Sequence, residues 1–165
     1  MGYDALRTAV KDAWENVGKH EFEELISSLC RGIHLGASYA LGHQLGTMNV
    51  AHGVTSCVLS PAVMKYNARV NAEHQQHAFD ALWSDEYIRE TLSKRNLTSE
   101  NDLGDLLDGL FREYGMPRSL KEVGVEGEEK LNILAVKSLE DPWCRTNPIP
   151  LITSEQVLEI LRMVE

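Results

Sequence analysis

One stretch constrains the fold of this 165-residue chain more than any other. Val54 to Val70 reads as a helix that is apolar almost all round, and Pro61 lies inside it. A helix with no polar face has to be surrounded, so it belongs at the centre of the molecule. Pro61 has no N–H to give and its ring crowds the preceding turn, so a kink is expected there.

The rest of the chain reads as helices able to wrap that centre, and strand signals are almost absent. Ala5, Leu6, Ala9, Val10, Ala13, Trp14 and Val17 fall on one helical face between Asp4 and Gly18. Glu21 to Leu41 reads as a second helix whose later part, Arg31 to Gly42, is rich in small residues. Glycine weakens a helix by roughly 1 kcal/mol relative to alanine. Three of them, Gly32, Gly36 and Gly42, suit a helix against which something packs closely.

Gly46 to Gly53 reads as a loop. Beyond the central helix, Ala72 to Asp80 is polar and begins a surface helix. Asp85–Ser93 is a short amphipathic stretch, and Asn101–Tyr114 is a further helix closed by Gly115-Met-Pro117. Ser119 opens a turn before Gly124, and Glu128–Glu140 is a further helix stopped by Asp141-Pro142. Asp141 to Leu151 is extended and holds three prolines. Thr153 and Gln156 are spaced as a capping box for a last helix, Glu155–Val164. With no linker, repeat or low-complexity segment, the expected fold is all-α: one domain over 1–165, a bundle of about seven helices.

Hydrophobic residues make up 43% of the chain, enough for a real core, and the formal charge of -9 opposes a nucleic-acid partner. No apolar run approaches the roughly 20 residues needed to span a bilayer, so no membrane role is expected. Met1 to His20 carries charges throughout and does not read as a signal peptide, so the expected location is cytoplasmic. Cys30, Cys57 and Cys144 are odd in number and far apart, as free thiols are.

The six histidines are the only side chains with an ordinary pKa near neutrality. His20 sits in a charged turn. His74 and His77 share a polar helical face without a third ligand nearby, which reads as a solvated surface. His34 lies in the small-residue helix, where it is either a core histidine or a substrate contact. His43 and His52 flank a glycine-rich loop beside the most apolar stretches. Tyr39 lies four residues before His43, so a continuing helix places both on one face. A tyrosine hydroxyl beside an imidazole suits proton transfer. The same spacing also fits two core groups hydrogen-bonded to one another.

Three ordered motifs carry a resemblance. Gly42-His-Gln-Leu-Gly46, then Val50-Ala-His-Gly53, then Leu59-Ser-Pro-Ala-Val-Met-Lys-Tyr-Asn67 resemble the signature of the iron-containing alcohol dehydrogenases, closest to the maleylacetate-reductase-like branch. Tyr114-Gly-Met-Pro117 and Thr146-Asn-Pro148 match in the same order. The resemblance implies the C-terminal helical domain of that family. In the family, one Asp and three His hold a divalent metal, and a separate α/β domain binds the nicotinamide cofactor. Here the cofactor domain and the helix with the Asp and the first His have no counterpart, and Tyr39 stands at the next ligand position. His52 matches a ligand, and His43 matches the non-ligand histidine near the substrate.

The resemblance thus implies the fold and argues against the family's reaction. The expectation is an enzyme using neither metal nor cofactor, with His43, Tyr39 and His52 catalytic. His34, Met48, Asn67, Arg145, Thr146 and Asn147 are the expected substrate contacts, the last three on a loop that borders the family's cleft. The expected substrate is an apolar small molecule, aromatic or prenylated, undergoing ring-ether formation by hydroxyl addition to an alkene, or isomerisation. The expected assembly is a homodimer. Two other readings stay open: a non-catalytic binding or assembly protein using the face that the missing domain would cover, and a metal enzyme in which two chains pool His52 with other histidines.

Overall fold

A computed structural model describes residues 36–165. The expected helix at Ala5–Val17, the part of the second helix before Gly36, and His20, Cys30 and His34 lie outside the described residues. Six α-helices and two 3-10 turns are present among the described residues, and no strand is. The helices are α1 (Ala37–Thr47), α2 (His52–Ser84), α3 (Glu86–Ser93), α4 (Leu103–Glu113), α5 (Glu128–Ser138) and α6 (Ser154–Arg162). The all-α expectation holds. No helix among the described residues is long and apolar enough to cross a membrane.

The small residues of α1 serve close packing. Ala37, Ala40 and Gly42 are buried. A Cβ at Gly42 would lie 2.9 Å from Thr55 Oγ1, on the first turn of α2. The two helices are joined by a short connection that turns at Asn49, whose φ of 66° lies in the left-handed region that asparagine tolerates. The loop expected over Gly46–Gly53 is therefore shorter. Gly46 and Thr47 still belong to α1, and His52 opens α2.

As expected, α2 is central; it contacts α1, α3, α4 and α6. Its departure from helical geometry is at Asn71 (φ −133°, ψ 25°), whereas the kink was expected at Pro61. Asparagine competes for backbone hydrogen bonds and resists the helical state. Here Gln75 Nε2 bonds both Asn71 Oδ1 and the Met64 carbonyl, each at 2.8 Å, which holds the bent segment. Pro61 is buried with helical dihedrals, and α4 lies against it: a Cβ at Gly104 would come within 2.6 Å of the Pro61 carbonyl oxygen. Only glycine permits that approach.

Two apolar cores flank the bend. The proximal core joins α1 and the first half of α2 to α5 and α6, through Leu41, Leu45, Leu59, Leu131, Leu134 and Ile160 among others. The distal core joins Met64 and the second half of α2 to α3 and α4, through Phe79, Leu82, Leu92, Leu103 and Leu106. Short polar residues start the distal helices: Asp85 accepts from the Ile88 N–H and Asp102 from the Asp105 N–H. The capping box at Thr153 and Gln156 forms as its spacing predicts.

Candidate active site

The helical spacing of Tyr39 and His43 and the position of His52 at the first turn of α2 bring three rings together. Tyr39 lies 4.6 Å from His43 and 5.4 Å from His52 between ring centroids, edge-on to both. The two imidazoles are 6.4 Å apart and inclined by only 24°. His43 and His52 are exposed and Tyr39 is half-buried, so the cluster opens to solvent. The continuing helix expected through Tyr39 and His43 is present, and the pair packs ring against ring.

Two further side chains complete the cluster, Asp141 and Trp143, and the sequence reading named neither as a site residue. His43 Nδ1 is 2.7 Å from Asp141 Oδ2. Asp141 caps the 3-10 turn Pro142–Cys144, its Oδ1 accepting from the Trp143 N–H at 2.9 Å. Trp143 then stands 6.3 Å from Tyr39, edge-on and partly exposed. The local signal was an Asp directly before a Pro, a good start for a turn. Its partner lies 98 residues away in the chain, which no local pattern reveals.

The remaining predicted residues are distributed as follows. Asn67 and Asn147 are buried and exchange two amide hydrogen bonds, Asn67 Nδ2 to Asn147 Oδ1 at 3.0 Å and Asn147 Nδ2 to Asn67 Oδ1 at 2.7 Å. Asn147 Oδ1 also accepts from the Ala37 N–H, and Asn147 Nδ2 donates to the Ile149 carbonyl. Both amides are thus engaged beneath α1, tying its N-terminus to α2 and to the 141–151 segment. Met48 is half-buried against the proximal core. Arg145 and Thr146 are exposed just beyond the turn, with Thr146 Oγ1 donating to the Trp143 carbonyl. His74 and His77 are exposed on the second half of α2.

Burial pushes the Cys144 thiol up to about 11, with the Asp141 carboxylate adding to the effect. Its Sγ–H donates to the Ser138 carbonyl. Burial also raises the Cys57 thiol. Both are free thiols; at Cys57 burial outweighs the opposing pull of the Arg112 guanidinium, so neither thiol is activated as a nucleophile.

A family model for the C-terminal domain of the Fe-containing alcohol dehydrogenases matches residues 30–164. The chain belongs to this family. It is 38% identical over 134 residues to dehydrogenase ALT3 of Alternaria alternata, covering 78% of this chain and 34% of that protein. Dehydrogenase FUM7 of Gibberella moniliformis is 35% identical over 162 residues, 93% of this chain and 38% of that protein. Lactaldehyde reductase of Escherichia coli is 29% identical over 160 residues, 94% of this chain and 40% of that protein. The chain thus spans between a third and two fifths of the length of these relatives.

The Fe-containing alcohol dehydrogenase family implies a metal, and the described donors do not fit one. Such an ion needs three or more protein ligands converging on a point. Among the described residues, no three His, Cys, Asp or Glu side chains converge in that way. In this family member His43 Nδ1 is engaged by Asp141, and a phenol ring packs against both imidazoles.

Proposed function

We propose that the chain is an enzyme performing redox-neutral acid/base chemistry, independent of metal and nicotinamide, on an aromatic or prenylated small molecule. The reaction is addition of a substrate hydroxyl to an alkene within one molecule, or isomerisation of a double bond. One observation carries this reading: Tyr39, His43 and His52 meet at a solvent-open face, and a carboxylate orients one of the imidazoles. Proton donors and acceptors held in mutual contact are what such a reaction requires. Tyr39 and Trp143 offer ring surfaces for an apolar, flat substrate.

The test is a turnover assay in deuterated water, using the purified chain and a panel of phenols bearing alkene or enone side chains. Mass spectrometry reads a new, non-exchanging C–D bond in the product. The wild type should incorporate deuterium into at least one substrate. His43→Ala should lose it by about 10²–10⁴-fold with its circular dichroism unchanged. Full activity in His43→Ala, or no incorporation into any substrate, refutes the reading.

A further inference from the structure

Resting on that proposed reaction, we infer that Asp141 assigns the proton roles: it holds His43 as a base at Nε2, leaves Tyr39 as the acid, and thereby restricts the substrate to a hydroxyl compound whose alkene is conjugated to a carbonyl. The assignment begins with the 2.7 Å contact between His43 Nδ1 and Asp141 Oδ2. An ionised carboxylate can only accept, so Nδ1 carries the hydrogen. A neutral imidazole then has its lone pair at Nε2, on the opposite ring edge.

Asp141 is itself well anchored. Its side chain is 11% exposed, and its second oxygen is fixed by the Trp143 N–H. The same carboxylate therefore sets the tautomer of an α1 histidine and places the Trp143 turn. Asp141 is a positioning residue, acting through His43.

The acid is the neighbouring phenol. Tyr39 packs edge-on against His43 and His52. A phenol is acidic enough to deliver a proton to an enolate carbon. It is far too weak to turn an isolated alkene into a carbocation. In the step, Nε2 takes the proton of the substrate hydroxyl as the oxygen bonds to the β-carbon of the enone. The π electrons move to the enolate, and the Tyr39 O–H delivers its proton to the α-carbon. The His43 imidazolium then returns a proton to the Tyr39 phenolate. One O–H and one C=C become one C–O and one C–H, with no net proton or electron.

Two measurements test this. The first is nitrogen NMR of the His43 imidazole at alkaline pH, in the wild type and in Asp141→Ser. Serine can still cap the turn at Trp143, but its short neutral side chain cannot hold Nδ1. The wild type should show a protonated Nδ1 and a bare Nε2, and the variant should lose that preference while Trp143 fluorescence stays unchanged. A wild type protonated at Nε2 overturns the assignment whatever the activity. Should the variant unfold, the wild-type tautomer still decides it.

The second measurement compares 2′-hydroxychalcone, an enone with its hydroxyl on the ring that bears the carbonyl, with ortho-prenylphenol, an isolated alkene. Cyclisation of the first alone, with kcat in Asp141→Ser down about 10²-fold and KM little changed, supports the inference. Equal turnover of the second overturns the substrate class. The expected tautomer with turnover of neither probe keeps Asp141 as the positioning residue and removes the proposed reaction.

Discussion

The two halves of this molecule share one helix and are held in different ways. The distal half, around Phe79, Leu82, Leu103 and Leu106, is an apolar core closed by two capped amphipathic helices. Its pieces are near in sequence. The proximal half has a larger apolar core, and across it run long-range polar links, two of them buried (Asn67 to Asn147, Asn147 to Ala37) and one at the solvent-open face (Asp141 to His43). These links span 80 to 110 residues. Among the described residues, all of the candidate chemistry lies in this half. An apolar core tolerates rearrangement, whereas a hydrogen-bonded network specifies one arrangement, as the proposed proton transfer requires.

The sharpest way to break that contrast is to remove the shared amide. Asn147→Ala strands the Asn67 amide, the Ala37 N–H and the Ile149 carbonyl in a buried setting. Each unsatisfied group costs about 1–3 kcal/mol, so a total loss near 4 kcal/mol is expected in urea unfolding. The Asp141-dependent nitrogen signature of His43 should vanish with it. A variant with near wild-type stability would show that the proximal half rests on apolar packing and that its amide network adds little.

The complementary substitution lies in the distal core. Leu106 is 1% exposed, and Leu106→Ala should lose about 3 kcal/mol through the cavity it leaves. It should leave the His43 signature intact. Loss of that signature would mean that the kinked α2 transmits the defect, and that the halves do not behave separately.

The smallest effect concerns pH. The Cys144 thiol is raised in the folded state from 9.0 to about 11. Folded protein then holds that proton more tightly than unfolded chain, so the contribution is complete below pH 9 and is lost as pH rises towards 11. The urea midpoint of the wild type should fall across this window more steeply than that of Cys144→Ala. Burial also raises Tyr114, on the distal side. The difference between the two proteins isolates the proximal thiol, and parallel curves would remove it.

The same contrast explains what could be read in advance. The amphipathic stretch at Asp85–Ser93, the helix expected at Asn101–Tyr114 and the Thr153–Gln156 box became α3, α4 and the start of α6, because caps and helical patterns are local. Family resemblance placed Tyr39, His43 and His52 in one site, and the Tyr39–His43 spacing held. Local rules misplaced the bend, since Pro61 is accommodated beside Gly104 and the break falls at Asn71, which has no mark in sequence beyond being an asparagine. Asp141 and the Asn67–Asn147 pair were hidden for another reason. An Asp before a Pro promises a turn, and an Asn promises an amide, but the partner of each is set by how distant segments meet.

Those long separations also bear on the order of events during folding. Closing a loop costs more entropy the longer the loop, and contacts distant in sequence form slowly. The distal helices can dock within one short span of chain. The clasp between His43 and Asp141 has to wait for nearly a hundred residues to be laid down. Pulse-labelled hydrogen exchange during refolding should therefore protect α3 and α4 before α1. On this view the molecule acquires its distal shape first and the His43–Asp141 clasp last, so an incompletely folded chain is compact in its distal half and lacks the geometry that the proposed reaction needs.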